Sequence, residues 1–241
     1  MSTSTPVAPL EIQQLKSGYG SIQVLNGIDL TVPAGTGVAV LGRNGVGKTT
    51  LLHTIMGFVR PTSGSVTVAG TDVTGRPIHQ AARAGLRLVP QGRRVFSSLT
   101  VQETLDVASG RRTGAWDVPR VYDAFPSLHE RRNNRSDRLS GGEQEMLVIA
   151  RALLGNPACL LLDEPSDGLA PKIVEQVSEI IVGLRQEGLS VVLVEQNLQL
   201  AVAACEQIYC MVRGQIAWQG SVEEFRGNRA IAVEHLGMGT E

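Results

Sequence analysis

Gly42-Arg43-Asn44-Gly45-Val46-Gly47-Lys48-Thr49-Thr50 follows the apolar run Val38-Ala39-Val40-Leu41 and leads into Leu51-Leu52-His53-Thr54-Ile55-Met56. That order predicts a buried strand, a tight glycine turn and then a helix. Glycine is needed where the backbone turns sharply and lets a ligand approach closely. The bared N–H groups of the turn and the helix N-terminus face an anion, and Lys48 reaches the outer phosphates of a nucleotide. Thr49 adds a hydroxyl suited to Mg²⁺, a hard ion that takes oxygen ligands and keeps several waters. Residues 43–50 are therefore the candidate phosphate cradle. A glycine-rich turn without a ligand is the alternative, and the strand before and helix after it argue against that.

Composition sets bounds on the rest. At 241 residues the chain has room for one large domain, or for a core carrying an inserted subdomain. A net charge of −1 gives no general pull toward nucleic acid or an anionic membrane. No run approaches the ~18 apolar residues of a membrane span. Residues 1–9 hold no basic residue and no hydrophobic segment, so a frayed tail is expected there rather than a secretory signal. Cys159, Cys205 and Cys210 are odd in number, sit in apolar surroundings and lack paired metal-ligand spacing. Buried thiols in a reducing compartment are expected in place of a disulfide or zinc site. A soluble, cytosolic chain satisfies these bounds.

Outward from the glycine loop, residues 10–15 and 23–32 alternate apolar and polar side chains, which predicts two half-buried strands. The turn between them, Ser17-Gly18-Tyr19-Gly20-Ser21, carries an aromatic that either packs on the turn or stacks on a flat ligand such as adenine. Arg60-Pro61-Thr62-Ser63-Gly64 breaks the pattern after the loop's helix, and residues 65–69 read as another strand. Residues 78–84 form a short helix, and Leu86-Arg87-Leu88-Val89 is a strand stopped by Pro90. Gln91 then lies at the carboxyl end of a strand, where α/β sheets bind ligands. From there to Arg138 the pattern is helical, with helices over 100–108 and 118–124 and a loop over 109–114. The basic stretch 131–138 lacks the interleaved aromatics of a nucleic-acid groove and reads as a solvated linker.

Leu139-Ser140-Gly141-Gly142-Glu143 opens an amphipathic helix, with Ser140 and Glu143 spaced as a capping box. Gly141 and Gly142 cost helix stability but bare the first-turn N–H groups, which makes a second anion seat. Cys159-Leu160-Leu161-Leu162-Asp163-Glu164-Pro165 is an apolar run ending in two acids, as a central parallel strand buried on both faces would be. Asp163 at its end can hold the Mg²⁺ water shell, and Glu164 can orient or deprotonate an attacking water. A long helix over 170–187, a buried strand over 190–194 ending in Glu195-Gln196-Asn197, a helix over 198–205 and a hairpin turning at Arg213-Gly214 follow. Short helices over 221–225 and 230–236 close the chain. The alternation predicts an α/β fold with a mostly parallel sheet and its site at the carboxyl ends of the strands.

The glycine loop, Gln91, Leu139-Ser140-Gly141-Gly142-Glu143 and Leu161-Leu162-Asp163-Glu164-Pro165 together resemble, in order and spacing, the ATPase subunits of ABC transporters. The resemblance covers nearly the whole chain. Gln91-Gly92-Arg93-Arg94-Val95-Phe96, Ser166-Asp167-Gly168-Leu169-Ala170-Pro171 and Val194-Glu195-Gln196-Asn197 are similar to the branch serving branched-chain (hydrophobic) amino-acid uptake. The resemblance implies a P-loop ABC-type ATPase core with an antiparallel β part and an inserted helical subdomain. In this chain that would be one ABC ATPase domain over 1–241, its core over 9–91 and 155–241 and its helical subdomain over 92–154. It implies ATP and Mg²⁺, and two ATPase subunits, of the same or a related chain, closing head to tail on two ATP molecules. Ser140, Gly141 and Gly142 would then serve the γ-phosphate of the partner's ATP. Tyr19 would stack on adenine, and Gln91 would meet Mg²⁺ and the attacking water. Val95 and Phe96 would touch two hydrophobic permease subunits, with an extracytoplasmic amino-acid-binding protein an indirect partner. The chain would lie peripherally on the cytoplasmic face of the membrane.

Two positions depart from the wider family. Gln196 stands where most members carry a switch histidine, and none of His53, His79, His129 or His235 can replace it. A Gln at 196 can still hydrogen-bond a γ-phosphate oxygen but cannot carry a positive charge. Ala170 stands where an Asp usually ends the loop after the acidic pair. Lys48, Gln91, Glu164 and Gln196 are the candidate catalytic residues, and Thr49, Gln91 and Asp163 the candidate Mg²⁺ holders. The rivals are a soluble ABC-type ATPase acting on nucleic acid or ribosomes, and a non-catalytic nucleotide-binding regulator. The first would need a coiled-coil insertion or a second ATPase unit, and intact Lys48, Asp163 and Glu164 speak against the second.

Overall fold

Side-chain alternation along three buried strands explains the layering. β3 (Gly37–Leu41) sends Ala39 and Leu41 to one face of a sheet and Val38 and Val40 to the other. β7 (Cys159–Asp163) divides Leu160 and Leu162 from Cys159 and Leu161 in the same way, and β8 (Ser190–Glu195) divides Val191 and Leu193 from Val192 and Val194. A strand of period two buried on both faces must be covered on both, and each buried Leu or Val contributes roughly 1.5–3 kcal/mol. In this computed structural model, which describes residues 7–110 and 114–237, one face carries α6 (Gly141–Leu153), α7 (Pro171–Gln186) and α8 (Leu198–Ala204). The other carries α1 (Lys48–Met56) and a small antiparallel sheet.

That small sheet is β1 (Leu10–Tyr19), β2 (Ile22–Val32), β4 (Pro61–Val68) and β5 (Thr71–Asp72), in the order β2-β1-β4-β5. The main sheet adds β6 (Leu86–Val89), β9 (Gln207–Val212) and β10 (Gln215–Ser221), in the order β10-β9-β3-β8-β7-β6. Its pairings are parallel except for the β9–β10 hairpin, whose Arg213 and Gly214 both have positive φ (47° and 76°), as a tight primed turn requires. The register sets Leu41 opposite Glu195, Asp163 opposite Val194 and Val89 opposite Leu162. All four strands therefore end at one edge, where the glycine loop, Gln91, the Asp163–Glu164 pair and Gln196 emerge. α2 (Ile78–Arg83) precedes β6, and α9 (Val222–Gly227) and α10 (Arg229–Leu236) close the described chain.

Several elements differ from expectation. β1 runs on to Tyr19, so the first turn is only Gly20 and Ser21. Residues 61–64 are strand rather than a break: Pro61 opens β4, where a missing N–H is tolerated. Gly64 (φ 87°) packs where a Cβ would collide with the carbonyls of Gln13 and Gln14. Between β6 and β7 lie α3 (Val101–Ser109), α4 (Val118–Ala124), α5 (Pro126–Glu130) and α6. α5 is a single turn, too short to show periodicity, with Pro126 at the first position, where proline is favoured. The basic stretch 131–138 is solvated at its charges but pinned at Ser136, which is fully buried and donates to the Leu99 carbonyl at 2.9 Å. The expected tail falls partly, at residues 1–6, outside the described residues, as do residues 111–113 of the expected loop. Cys159, Cys205 and Cys210 are buried and free, and burial pushes each thiol up to about 12. Among the described residues no helix is long and apolar enough to cross a membrane.

Candidate nucleotide site

The glycine loop is built by close approaches that only glycine permits. A Cβ on Gly42 would meet the Met211 carbonyl oxygen at 2.7 Å and Val46 at 2.8 Å. Gly45 and Gly47 have φ of 80° and 114°, and Gly47 is the N-cap of α1. No side chain caps that helix, so the dipole end of α1 opens on a cavity of about 350 Å³. Asn44, Gly45, Gly47, Lys48, Thr49 and Thr50 line it, together with Gln91, Glu164 and Val24 of β2. Val24 escaped the sequence reading, which held no signal that β2 would reach the loop. Arg43 faces an adjoining cavity with Asn44, Gln196 and Leu236. Tyr19 is 52% exposed at the end of β1 and is not part of the lining.

Three candidate catalytic residues meet at the carboxylate of the fourth, Glu164. Lys48, only 4% exposed, donates to the carbonyls of Gly42 at 2.7 Å and Arg43 at 3.2 Å, and pairs with Glu164 Oε1 at 2.9 Å. Gln91 Nε2 donates to Glu164 Oε2 and to Asp167 Oδ2, each at 3.1 Å. Gln196 Nε2 lies 3.4 Å from Glu164 Oε1 and bonds closely to Asn44 Oδ1. Glu164 itself adopts φ 49°, a left-handed conformation costing a non-glycine residue on the order of 1 kcal/mol. Its N–H donates to the Val194 carbonyl at 2.9 Å, which helps hold the strained residue.

Asp163 sits one residue back, 2% exposed, and accepts from Thr49 Oγ1 at 3.2 Å. Burial pushes its carboxyl up to about 6; the Thr49 hydroxyl and Lys48 act against that rise, and Glu164 and Glu195 add to it. A buried carboxylate bonded to the Thr49 hydroxyl, with Gln91 lining the same cavity as Thr49, supplies hard oxygen donors. It fits Mg²⁺ carried in with a phosphate chain.

Glu195 is the residue that sequence reading left without a role. Only 2% exposed, it accepts from Ser166 N through Oε1 (2.9 Å) and from Gln196 N (2.9 Å) and Asn197 N (3.1 Å) through Oε2. It therefore ties the loop after Glu164 to the loop carrying Gln196. An acid closing an otherwise apolar strand was the available signal.

The signature segment stands apart. Ser140, Gly141 and Gly142 do not line the phosphate cavity. Ser140 forms the expected capping box, accepting from Glu143 N at 3.3 Å while Glu143 Oε2 accepts from Ser140 N at 2.8 Å. The glycines also have a packing reason: a Cβ at Gly142 would lie 2.7 Å from Ile173 of α7, and one at Gly141 would lie 2.8 Å from Arg93 Nη1. Ala170 is the N-cap of α7 and supplies no side-chain cap.

Comparison with known proteins agrees with this geometry. Residues 25–167 match the family described as ABC transporter. The chain is 40% identical over 232 residues to BraG of Pseudomonas aeruginosa, a high-affinity branched-chain amino acid transport ATP-binding protein, covering 95% of this chain and 99% of that one. It is 34% identical to the lipopolysaccharide export system ATP-binding protein LptB of Haemophilus influenzae, covering 95% of this chain and 97% of that one. A solved ATP-binding cassette of an ABC transporter superposes with a TM-score of 0.85 at 23% identity, over 96% of this chain and 99% of that one. The chain belongs to the ABC transporter family, and within it is an ATPase.

Proposed function

We propose that this chain is the ATP-binding and ATP-hydrolysing subunit of an importer for branched-chain or other hydrophobic amino acids. The observation carrying the ATPase part is the convergence of Lys48, Gln91 and Gln196 on Glu164 at the mouth of the glycine loop. The amino-acid part is supported by the likeness to BraG. Residues 43–50 hold the phosphates by backbone N–H groups and the Lys48 charge, and Tyr19 stacks on the adenine. Thr49, Asp163 and Gln91 would hold Mg²⁺, in part through water, and the ion would supply charge neutralisation at the phosphate oxygens. Phosphate arrival competes for Lys48 and so releases Glu164 from its ion pair. Glu164 then accepts a proton from the attacking water, while Gln91 and Gln196 direct hydrogen bonds at the reacting phosphate and water.

Ser140, Gly141 and Gly142 serve the ATP of a second ATPase subunit, and helices 92–154 form a subdomain that moves relative to the core. ATP favours the closed pair because only there is it gripped from both sides. Phe96, 48% exposed with the Arg151 guanidinium 5.0 Å from its ring centroid, is an apolar anchor for the membrane subunits. The chain works peripherally at the cytoplasmic face.

The test is uptake. The chain is reconstituted in vesicles with two candidate hydrophobic permease subunits and a candidate amino-acid-binding protein from the same organism, and ATP-driven entry of labelled leucine is followed. Entry that stops with Lys48→Ala supports the reading. ATP hydrolysis without entry of any hydrophobic amino acid refutes the amino-acid assignment, and the LptB likeness then favours an export system.

A further inference from the structure

Arg93 lies between two parts of the molecule that the proposed function assigns to different nucleotides. It follows Gln91 by two residues and has φ 48°, unfavourable for a side chain of its size. Its Nη2 donates to the Asp167 carbonyl at 2.5 Å, in the loop that follows Glu164. Its Nη1 lies against Gly141 in the first turn of α6, and its Nη2 against Gly168; Cβ atoms there would stand 2.8 Å and 3.2 Å away. Behind it, Glu145 of α6 is 4% exposed and shares a cavity of about 260 Å³ with Arg93, Glu164 and Asp167. Burial pushes the Glu145 carboxyl up to about 7, while the Arg93 charge acts against that rise and Glu195 adds to it.

A buried carboxylate on one element and a bare carbonyl on another, with glycine on each where a guanidinium must fit, is a seat for an arginine. The guanidinium bonds the Asp167 carbonyl through Nη2 while its charge acts on Glu145 across the shared cavity, and its planar fork lies between Gly141 and Gly168, which an ammonium on a flexible stem does not reproduce. We propose that Arg93 is a positioning residue that fastens the N-terminus of α6 to residues 166–169, so that the signature turn and the catalytic carboxylate of one chain move together. This rests on the reading in which Glu164 acts on the ATP of its own chain and residues 140–142 on that of the partner. Under it, Arg93 carries the state of one ATP site to the other.

Two measurements on the full chain test this, and they separate the fastening from the reading beneath it. Amide hydrogen exchange without nucleotide follows peptides covering 140–146 and 165–170. Arg93→Ala is expected to raise exchange about fivefold or more in both, Glu145→Gln to raise it in the first, and the double variant to match Arg93→Ala. ATP turnover is then measured beside ATP affinity: Arg93→Ala should lower kcat about tenfold or more with Kd within twofold, and Arg93→Lys should recover part of the loss. Exchange that rises in only one segment, or in neither, overturns the fastening even if turnover falls. Wild-type turnover by Arg93→Ala overturns the coupling. Full activity in Glu164→Gln overturns the reading on which the coupling stands, and leaves the exchange result to decide the fastening alone.

Discussion

Glu195 is the most exacting place to test how the site is held. Its two oxygens accept three backbone N–H groups, from Ser166, Gln196 and Asn197, in a pocket that leaves it 2% exposed. Hydrogen bonds to a charged group contribute about 1.5–3 kcal/mol each, and an abandoned buried donor costs about 1–3 kcal/mol. Removing the carboxylate also removes its own desolvation cost, which offsets part of the loss. Glu195→Ala is therefore expected to lose about 2–4 kcal/mol of stability. Glu195→Gln keeps the volume and one acceptor oxygen, enough for the paired bonds to Gln196 and Asn197, but turns an amide against Ser166 N. It should lose about half as much. In a chain of this length each kcal/mol lowers Tm by roughly 2–4 °C, so a thermal melt resolves the two variants. The same variants should lower kcat about tenfold to a hundredfold, because a displacement of the order of 1 Å at a reacting group costs that much, with ATP affinity nearly kept. A Glu195→Ala protein that melts within 1 °C of the native chain, or a Gln variant as damaged as the Ala one, would refute the bracing argument.

Further expectations follow from the other side chains. Glu164→Gln should keep ATP binding, lose turnover by at least a hundredfold and trap an ATP-dependent dimer visible by size-exclusion chromatography; an active variant would remove Glu164 from its assigned role. Ser140→Arg should abolish hydrolysis while ATP binding to the single chain stays within about threefold, and equal loss of both would mean that the signature does not serve a second chain. Asp163, raised from 3.8 to about 6 mainly by burial, binds more protons folded than unfolded between those values. It therefore costs nothing below its unfolded pKa and its full amount above pH 6. Asp163→Asn should raise stability by about 2–3 kcal/mol at pH 7.5, give no gain at pH 3.5 and lose turnover; urea melts at the two pH values decide it.

The parts of this molecule that could be read in advance are those in which neighbouring residues carry the whole physical reason. Gly42 to Thr50 must turn, bare its amides and offer a cation whatever the rest of the chain does, and Ser140 with Glu143 caps its helix by local bonds alone. The strand ending in Asp163 announces double burial by an unbroken apolar run, and its period of two fixes which residue meets which helix layer. What stayed hidden depends on contacts across long separations. Residues 61–64 look like a break because proline and glycine punctuate them, yet pairing with β1, which bulges at Gln14 and Leu15 opposite Gly64, holds them in strand. Gly141 and Gly142 read as bared amides, and only the fold adds that Arg93 and Ile173 occupy the missing Cβ positions. Those two glycines thus answer to packing within the chain and, on the proposed reading, to a phosphate from outside it. The two demands are compatible because packing constrains the Cα face of the turn, whereas an anion is met by its N–H groups. Gly142→Ala should consequently injure both the seating of α6 on α7 and hydrolysis; because alanine keeps the backbone N–H, a second-site Ile173→Ala should restore both if the N–H groups are what the reaction uses, and restored seating without hydrolysis would refute that.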